Sequence, residues 1–121
     1  MNKYTPDLSS QFKDKIIIVT GSTQGSGAET AKLLAHRGAK GITICGRKEK
    51  EGLSIKEEIE KLGSKCIYVK ADLFEEKDCR NIVQITDQAF GRVDSLINVA
   101  GFTERGTILS TTMENYDRCF N

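Results

Sequence analysis

Long apolar runs are missing from this chain. No stretch of its 121 residues approaches the roughly 20 apolar positions of a membrane-spanning helix, so no membrane partner is expected. An excess of one charge is missing too. Eighteen Lys and Arg stand against 17 Asp and Glu, a formal net charge of +1. That balance offers no bulk attraction to nucleic acid or anionic lipid. The opening MNKYTPDLSS lacks the apolar run of a secretory signal, so a cytoplasmic location is expected. The four cysteines, Cys45, Cys66, Cys79 and Cys119, form no C-x-x-C pair, and the one histidine, His36, has no clustered partner. This argues against a metal site and for reduced thiols in a core. His36 is expected on the surface near a helix end.

What is present is a regular alternation of patterns. Strands are expected at about residues 15–20, 41–45, 65–70 and 93–99, and helices at about 25–37, 49–62 and 75–90. A last helix is expected from about residue 112 to the end. Gly38, Gly63 and Gly91 follow the first three helices as stop signals. The second helix carries Gly52, Ile55, Ile59 and Leu62 on one stripe, and the third carries Cys79, Ile82, Val83, Thr86 and Phe90. The apolar runs Ile16 to Val19 and Leu96-Ile97 fit strands covered on both faces. Such alternation implies right-handed crossovers and a parallel sheet. The fold class is therefore α/β, the first half of a Rossmann-like doubly wound sheet in spatial order 3-2-1-4. Residues 1–12 read as a flexible lead-in and 13–121 as one domain, expected to be C-terminally incomplete. Glu57 with Lys61 and Glu76 with Arg80 have i,i+4 spacing for pairing on helix surfaces. Adjacent carboxylates such as Glu57-Glu58 diverge on a helix and do not suit paired acid/base work.

The first strand runs into Thr20-Gly21-Ser22-Thr23-Gln24-Gly25-Ser26-Gly27, and a helix pattern follows. The amides of a helix's first turn have no partners within the helix, and the helix dipole favours negative charge there. Gly21 suits a tight turn, Gly25 close approach of a ligand to backbone, and Gly27 close helix–strand packing. No Gly-Lys-Ser/Thr follows, which disfavours a triphosphate loop.

This T-G-x-x-x-G-x-G segment resembles the cofactor loop of the short-chain dehydrogenase/reductase family. Three later positions agree. After the second strand, Gly46 and Arg47 stand where an acid would take the adenosine ribose of NAD. A guanidinium there suits a 2′-phosphate, which favours NADP(H) over NAD(H). Lys48 and Lys50 either add to that field or belong to a solvated helix start. After the third strand comes Ala71-Asp72-Leu73. The resemblance implies that Asp72 and Leu73 flank the adenine; the other reading is that Asp72 caps the next helix or its loop. After the fourth strand comes Asn98-Val99-Ala100-Gly101, similar to the family's Asn-Asn-Ala-Gly, with Val99 in place of the second Asn. The implied cofactor-binding set is Gly21, Ser22, Thr23, Gly25, Ser26, Gly27, Arg47, Asp72, Leu73, Asn98, Ala100 and Gly101. Ser26 stands where the family usually carries an aliphatic residue.

The resemblance implies hydride transfer between NADP(H) and a small alcohol or carbonyl substrate. The family does this with a Ser and a Tyr-x-x-x-Lys pair, in which Lys lowers the phenol's pKa and Tyr moves the proton. Here Tyr4, Tyr68 and Tyr116 are followed four residues later by Leu8, Asp72 and Phe120. No catalytic residue is assigned. The chain is expected to be the N-terminal, cofactor-binding portion of a longer enzyme and inactive alone. Full-length members commonly form homo-oligomers. The rival readings are a nucleotide-binding or interaction module with the same fold and no chemistry.

Overall fold

The computed structural model describes residues 7–23 and 25–99. Four strands, β1 (Ile16–Thr20), β2 (Gly41–Gly46), β3 (Lys65–Lys70) and β4 (Ser95–Asn98), form one parallel sheet in the order β3-β2-β1-β4. That is the order the sequence predicts. Between them run α1 (Gly25–His36), α2 (Glu49–Lys61) and α3 (Glu76–Phe90). The register sets Val19 beside Ile44 and Ile97, Thr20 beside Asn98, and Gly46 beside Lys70. The carboxyl ends of the four strands therefore lie along one edge of the sheet.

Period-two alternation divides the core. Ile17, Val19, Ile42 and Ile44 pack with Ala31, Leu34 and Ala35 of α1 and Ile59 of α2. Ile18, Cys45, Val69 and Ala71 pack with Ile82 of α3 on the opposite face. Ile16 to Val19 are each at most 1% exposed, as expected of a strand covered on both faces. Burial on both faces leaves polar side chains only where they pair. Thr86 of α3 meets Thr43 of β2 hydroxyl to hydroxyl at 2.8 Å.

Three burial expectations need correction. Leu96 is 61% exposed. Among the described residues β4 has a neighbour only on its β1 side, and α3 lies over β1 and β2. Leu62 is exposed because it is the C-cap of α2, past the last residue that faces the sheet. Val83 is half exposed because the inward line of α3 runs through Ile82 and Thr86, and Val83 sits about 100° round from Ile82. The strand itself is shorter than expected, since Val93 and Asp94 precede it.

The start of β4 is pinned by one carboxylate. Asp94 Oδ2 accepts from the Ile16 amide at 2.8 Å and from Arg92 Nε at 3.0 Å. The Asp94 amide returns a bond to the Ile16 carbonyl at 2.9 Å. These bonds, the Ile16 amide foremost, hold the Asp94 carboxyl below its ordinary range. Near the other end of the chain, the Phe12 amide donates to the Arg37 carbonyl at 3.0 Å, and the Phe12 ring packs on the core. His36 is exposed in the last turn of α1. The pairs Lys61–Glu57 at 3.4 Å and Arg80–Glu76 at 2.6 Å form as spaced. Each is well exposed, worth roughly a few tenths of a kcal/mol. The helix expected from residue 112 lies outside the described residues.

Candidate functional site at the strand tips

The β1 tip is built by glycines. Gly21 has φ 62° and Gly25 has φ 57°, a left-handed region that disfavours side chains. A Cβ on Gly25 would meet nothing within 4 Å among the described residues. A Cβ on Gly27 would lie 2.0 Å from the Gly21 carbonyl oxygen. Helix α1 thus sits directly on the turn, with first-turn amides that have no partner within the helix at the sheet's edge. Ser26 is exposed in that first turn.

Ser22 and Thr23 are turned inward. The Ser22 hydroxyl donates to the Val19 carbonyl at 2.7 Å and accepts from the Cys45 amide at 2.9 Å. The Ser22 amide also reaches the Cys45 carbonyl at 3.3 Å. Fully buried, this side chain ties the turn to β2 and offers no free donor to the crevice. Thr23 lies against Gly46, where a Cβ would come within 2.7 Å of Thr23 Cγ2 and 2.8 Å of its Oγ1. Gln24 lies outside the described residues.

At the β2 tip the Gly46 carbonyl accepts from Tyr68 Oη at 2.7 Å and from the Ala71 amide at 3.1 Å. Arg47 follows, exposed, and its guanidinium makes no salt bridge among the described residues. Lys48 and Lys50 are exposed beside it, Lys48 as the N-cap of α2.

At the β3 tip Asp72 opens a turn. Its Oδ1 accepts from the Phe74 amide at 3.0 Å, and its own amide donates to Asp78 Oδ2 at 2.8 Å. The N-cap of α3 is Glu75, so Asp72 shapes the loop rather than capping the helix. Leu73 is half-buried against the α3-side core. At the β4 tip Thr20 Oγ1 donates to Asn98 Oδ1 at 2.6 Å and accepts from the Val99 amide at 3.1 Å. Ala100 and Gly101 lie outside the described residues.

Behind the tips, Cys45, Cys66 and Cys79 are free. Burial pushes the Cys45 thiol up to about 11 and the Cys66 thiol up to about 12, so both stay neutral and unreactive. Two shallow grooves lie away from the tips, one along α2 at Leu53, Lys56 and Glu60 and one beside α3 at Cys79, Val83 and Val93. Neither gathers convergent donors.

The sheet thus presents a glycine turn, an exposed cation, a carboxylate turn and an Asn along one edge. The family model for short chain dehydrogenase matches residues 15–121. The chain belongs to the short-chain dehydrogenase family. Among similar family proteins, an uncharacterised oxidoreductase of Bacillus subtilis is 32% identical over 111 residues, covering 92% of this chain and 31% of that protein. The (-)-isopiperitenol/(-)-carveol dehydrogenase of Mentha piperita is 34% identical over 106 residues, covering 86% of this chain and 39% of that protein. Among solved structures, an NADH-dependent reductase in complex with NAD superposes with TM-score 0.81 at 28% identity, covering 91% of this chain and 46% of that one. A short chain dehydrogenase from Mycobacterium smegmatis superposes with TM-score 0.85 at 25% identity, covering 94% and 47%. The chain spans less than half the length of each of these relatives.

Within this family frame, one residue that touches the site escaped the sequence reading. Tyr68 reaches from β3 to the carbonyl beside Arg47. Its signal was Gly52 inside the apolar stripe of α2. Glycine weakens a helix, and here its missing Cβ leaves room for the Tyr68 ring, whose Cε1 a Cβ would approach to 2.2 Å.

Proposed function

We propose that these strand tips bind NADP(H), and that the chain is the cofactor-binding portion of a short-chain oxidoreductase acting on a small alcohol or carbonyl substrate. The nicotinamide ring, when bound, supplies or accepts the hydride. The observation that carries this reading is the first turn of α1 seated on the Gly21 turn, with no described atom within 4 Å of where a Gly25 Cβ would lie. Diphosphate oxygens suit the amides of Gly21, Thr23, Gly25, Ser26 and Gly27, with the Ser26 hydroxyl beside them. Ser22 serves by holding that turn to β2. Asp72 and Leu73 flank the adenine, the Asp72 Oδ2 having no hydrogen-bond partner among the described residues. Asn98, Ala100 and Gly101 line the ribose side.

The choice of NADP(H) rests on the β2 tip. An acid there would repel a 2′-phosphate, whereas Arg47 attracts one and grips it with two parallel bonds. Thr23 also fills the room that a side chain at position 46 would need. The NAD-bound relative shares the frame, so cofactor choice belongs to the residues at this tip rather than to the sheet.

Titration of NADPH fluorescence against the protein and its Arg47→Asp variant tests the assignment. Loss of a charged hydrogen bond, about 1.5–3 kcal/mol, should weaken NADP(H) binding by roughly 10- to 100-fold and leave NAD(H) nearly unchanged. Equal losses for both cofactors would remove Arg47 from the phosphate site. No fluorescence change at millimolar NADPH would leave only an interaction module.

A further inference from the structure

We infer that Tyr68 is a positioning residue for cofactor choice: through the Gly46 carbonyl it holds the backbone that carries Arg47. The inference rests on the reading of Arg47 given above.

Arg47 has an anchored residue on each side; Tyr68 bonds one of them, Gly46, directly and reaches the other, Lys48, through Gly52. On one side the Gly46 carbonyl accepts from Tyr68 Oη at 2.7 Å. On the other, the Lys48 carbonyl accepts from the Gly52 amide at 2.9 Å. Gly52 is the residue on which the Tyr68 ring lies, with room for Cε1 and Cδ1 only because Gly52 has no Cβ. One side chain from β3 thereby joins the last residue of β2 to the first turn of α2, and Arg47 sits between them. Thr23 packs against the Gly46 Cα. The peptide before Arg47 is held between the glycine turn and the tyrosine.

The hydroxyl suits this task. It remains a donor at ordinary pH, because burial raises the phenol above its usual range and the nearby Glu49 adds to the shift. A bidentate grip on phosphate depends on orientation as well as charge. Loss of the hydroxyl should therefore cost NADP⁺ more than NAD⁺, since only NADP⁺ uses the guanidinium. The fold should survive, because the Ala71 amide still meets the Gly46 carbonyl and phenylalanine keeps the ring on Gly52.

Dissociation constants for NADP⁺ and NAD⁺ should be measured by calorimetry on the wild type, Tyr68→Phe, Arg47→Ala and the double variant, with melting curves alongside. The expected result is a fall in NADP⁺ affinity of about two- to tenfold in Tyr68→Phe, the range of one neutral hydrogen bond. NAD⁺ affinity should hold, and the second substitution should have no further effect on Arg47→Ala. A purely stabilising role would lower the melting temperature and weaken both cofactors alike, and that result overturns the inference. So does a full Tyr68→Phe effect that persists without Arg47. If Arg47→Ala loses selectivity and Tyr68→Phe keeps it, the Tyr68 inference alone falls. If the wild type and Arg47→Ala choose between the cofactors identically, the Arg47 reading falls and takes this one with it.

Discussion

Replacing Gly27 by alanine should damage stability and binding through a backbone clash, whereas the same change at Gly25 should cost stability only through its positive φ and should weaken binding through the methyl group itself. At Gly27 the new Cβ would lie 2.0 Å from the Gly21 carbonyl oxygen and 2.6 Å from its carbon, where real contacts stay above 3.0 Å. The obstacle is backbone, so no rotamer change relieves it, and helix and turn must part by about an ångström. Overpacking of this kind costs about 1–3 kcal/mol, offset in part by the 0.5–1 kcal/mol that alanine gains over glycine inside a helix. The net loss, up to about 2.5 kcal/mol, lowers the melting temperature by roughly 2–8 °C per kcal/mol in a domain of this size. The displaced first-turn amides would also leave the place where a diphosphate must meet them. At Gly25 a Cβ meets no described atom within 4 Å, and the cost is that of φ 57°, about 1–2 kcal/mol. Its methyl group would instead fill the space over the turn. Circular dichroism melts and NADPH titrations on both variants separate the two effects. Gly27→Ala melting with the wild type would refute the packing argument, and Gly25→Ala binding NADPH at full affinity would refute the placement of the ligand.

Acid should loosen the junction of β1 and β4. The Asp94 carboxyl is held below its ordinary range, so the stability it contributes is present above that range and is lost as pH falls through the lowered folded-state value. Asp94→Asn should melt lower at neutral pH and show a flatter acid limb, and an unchanged acid limb would contradict the assignment. Thiol chemistry should follow burial. At pH 8 iodoacetamide should modify the half-buried Cys79 before Cys45 and Cys66, which stay protonated until the chain unfolds. Peptide mass spectrometry reading equal rates at all three would count against the packed core.

The sheet order was legible because four apolar runs alternating with helices resemble the first half of a doubly wound fold, in which the fourth strand returns beside the first. The strand tips were legible for a related reason: T-G-x-x-x-G-x-G marks the junction of strand and helix, where its chemistry is needed. Burial at the sheet's edge was harder to read. Leu96 and Val83 carry the same apolar side chains as their buried neighbours, and only what packs over them decides their exposure. Ser22 was read as a phosphate contact, yet its hydroxyl faces β2, because a serine in a turn can serve either a ligand or the backbone. Tyr68 was read only as a tyrosine without a lysine four residues on. Its reach to Gly46 depends on a register that sets it beside Ile44, two residues short of that carbonyl. Local pattern does not report such diagonal reach.

The central claim is that a dinucleotide phosphate seats on the free amides where β1 meets α1. Amide NMR shifts recorded while NADP⁺ is added to the ¹⁵N-labelled protein test it directly. The account predicts saturable shifts at Gly21, Thr23, Gly25, Ser26 and Gly27, joined by Arg47, with α2 beyond its first turn unmoved. Shifts confined to other surfaces, or none at millimolar NADP⁺, would contradict it.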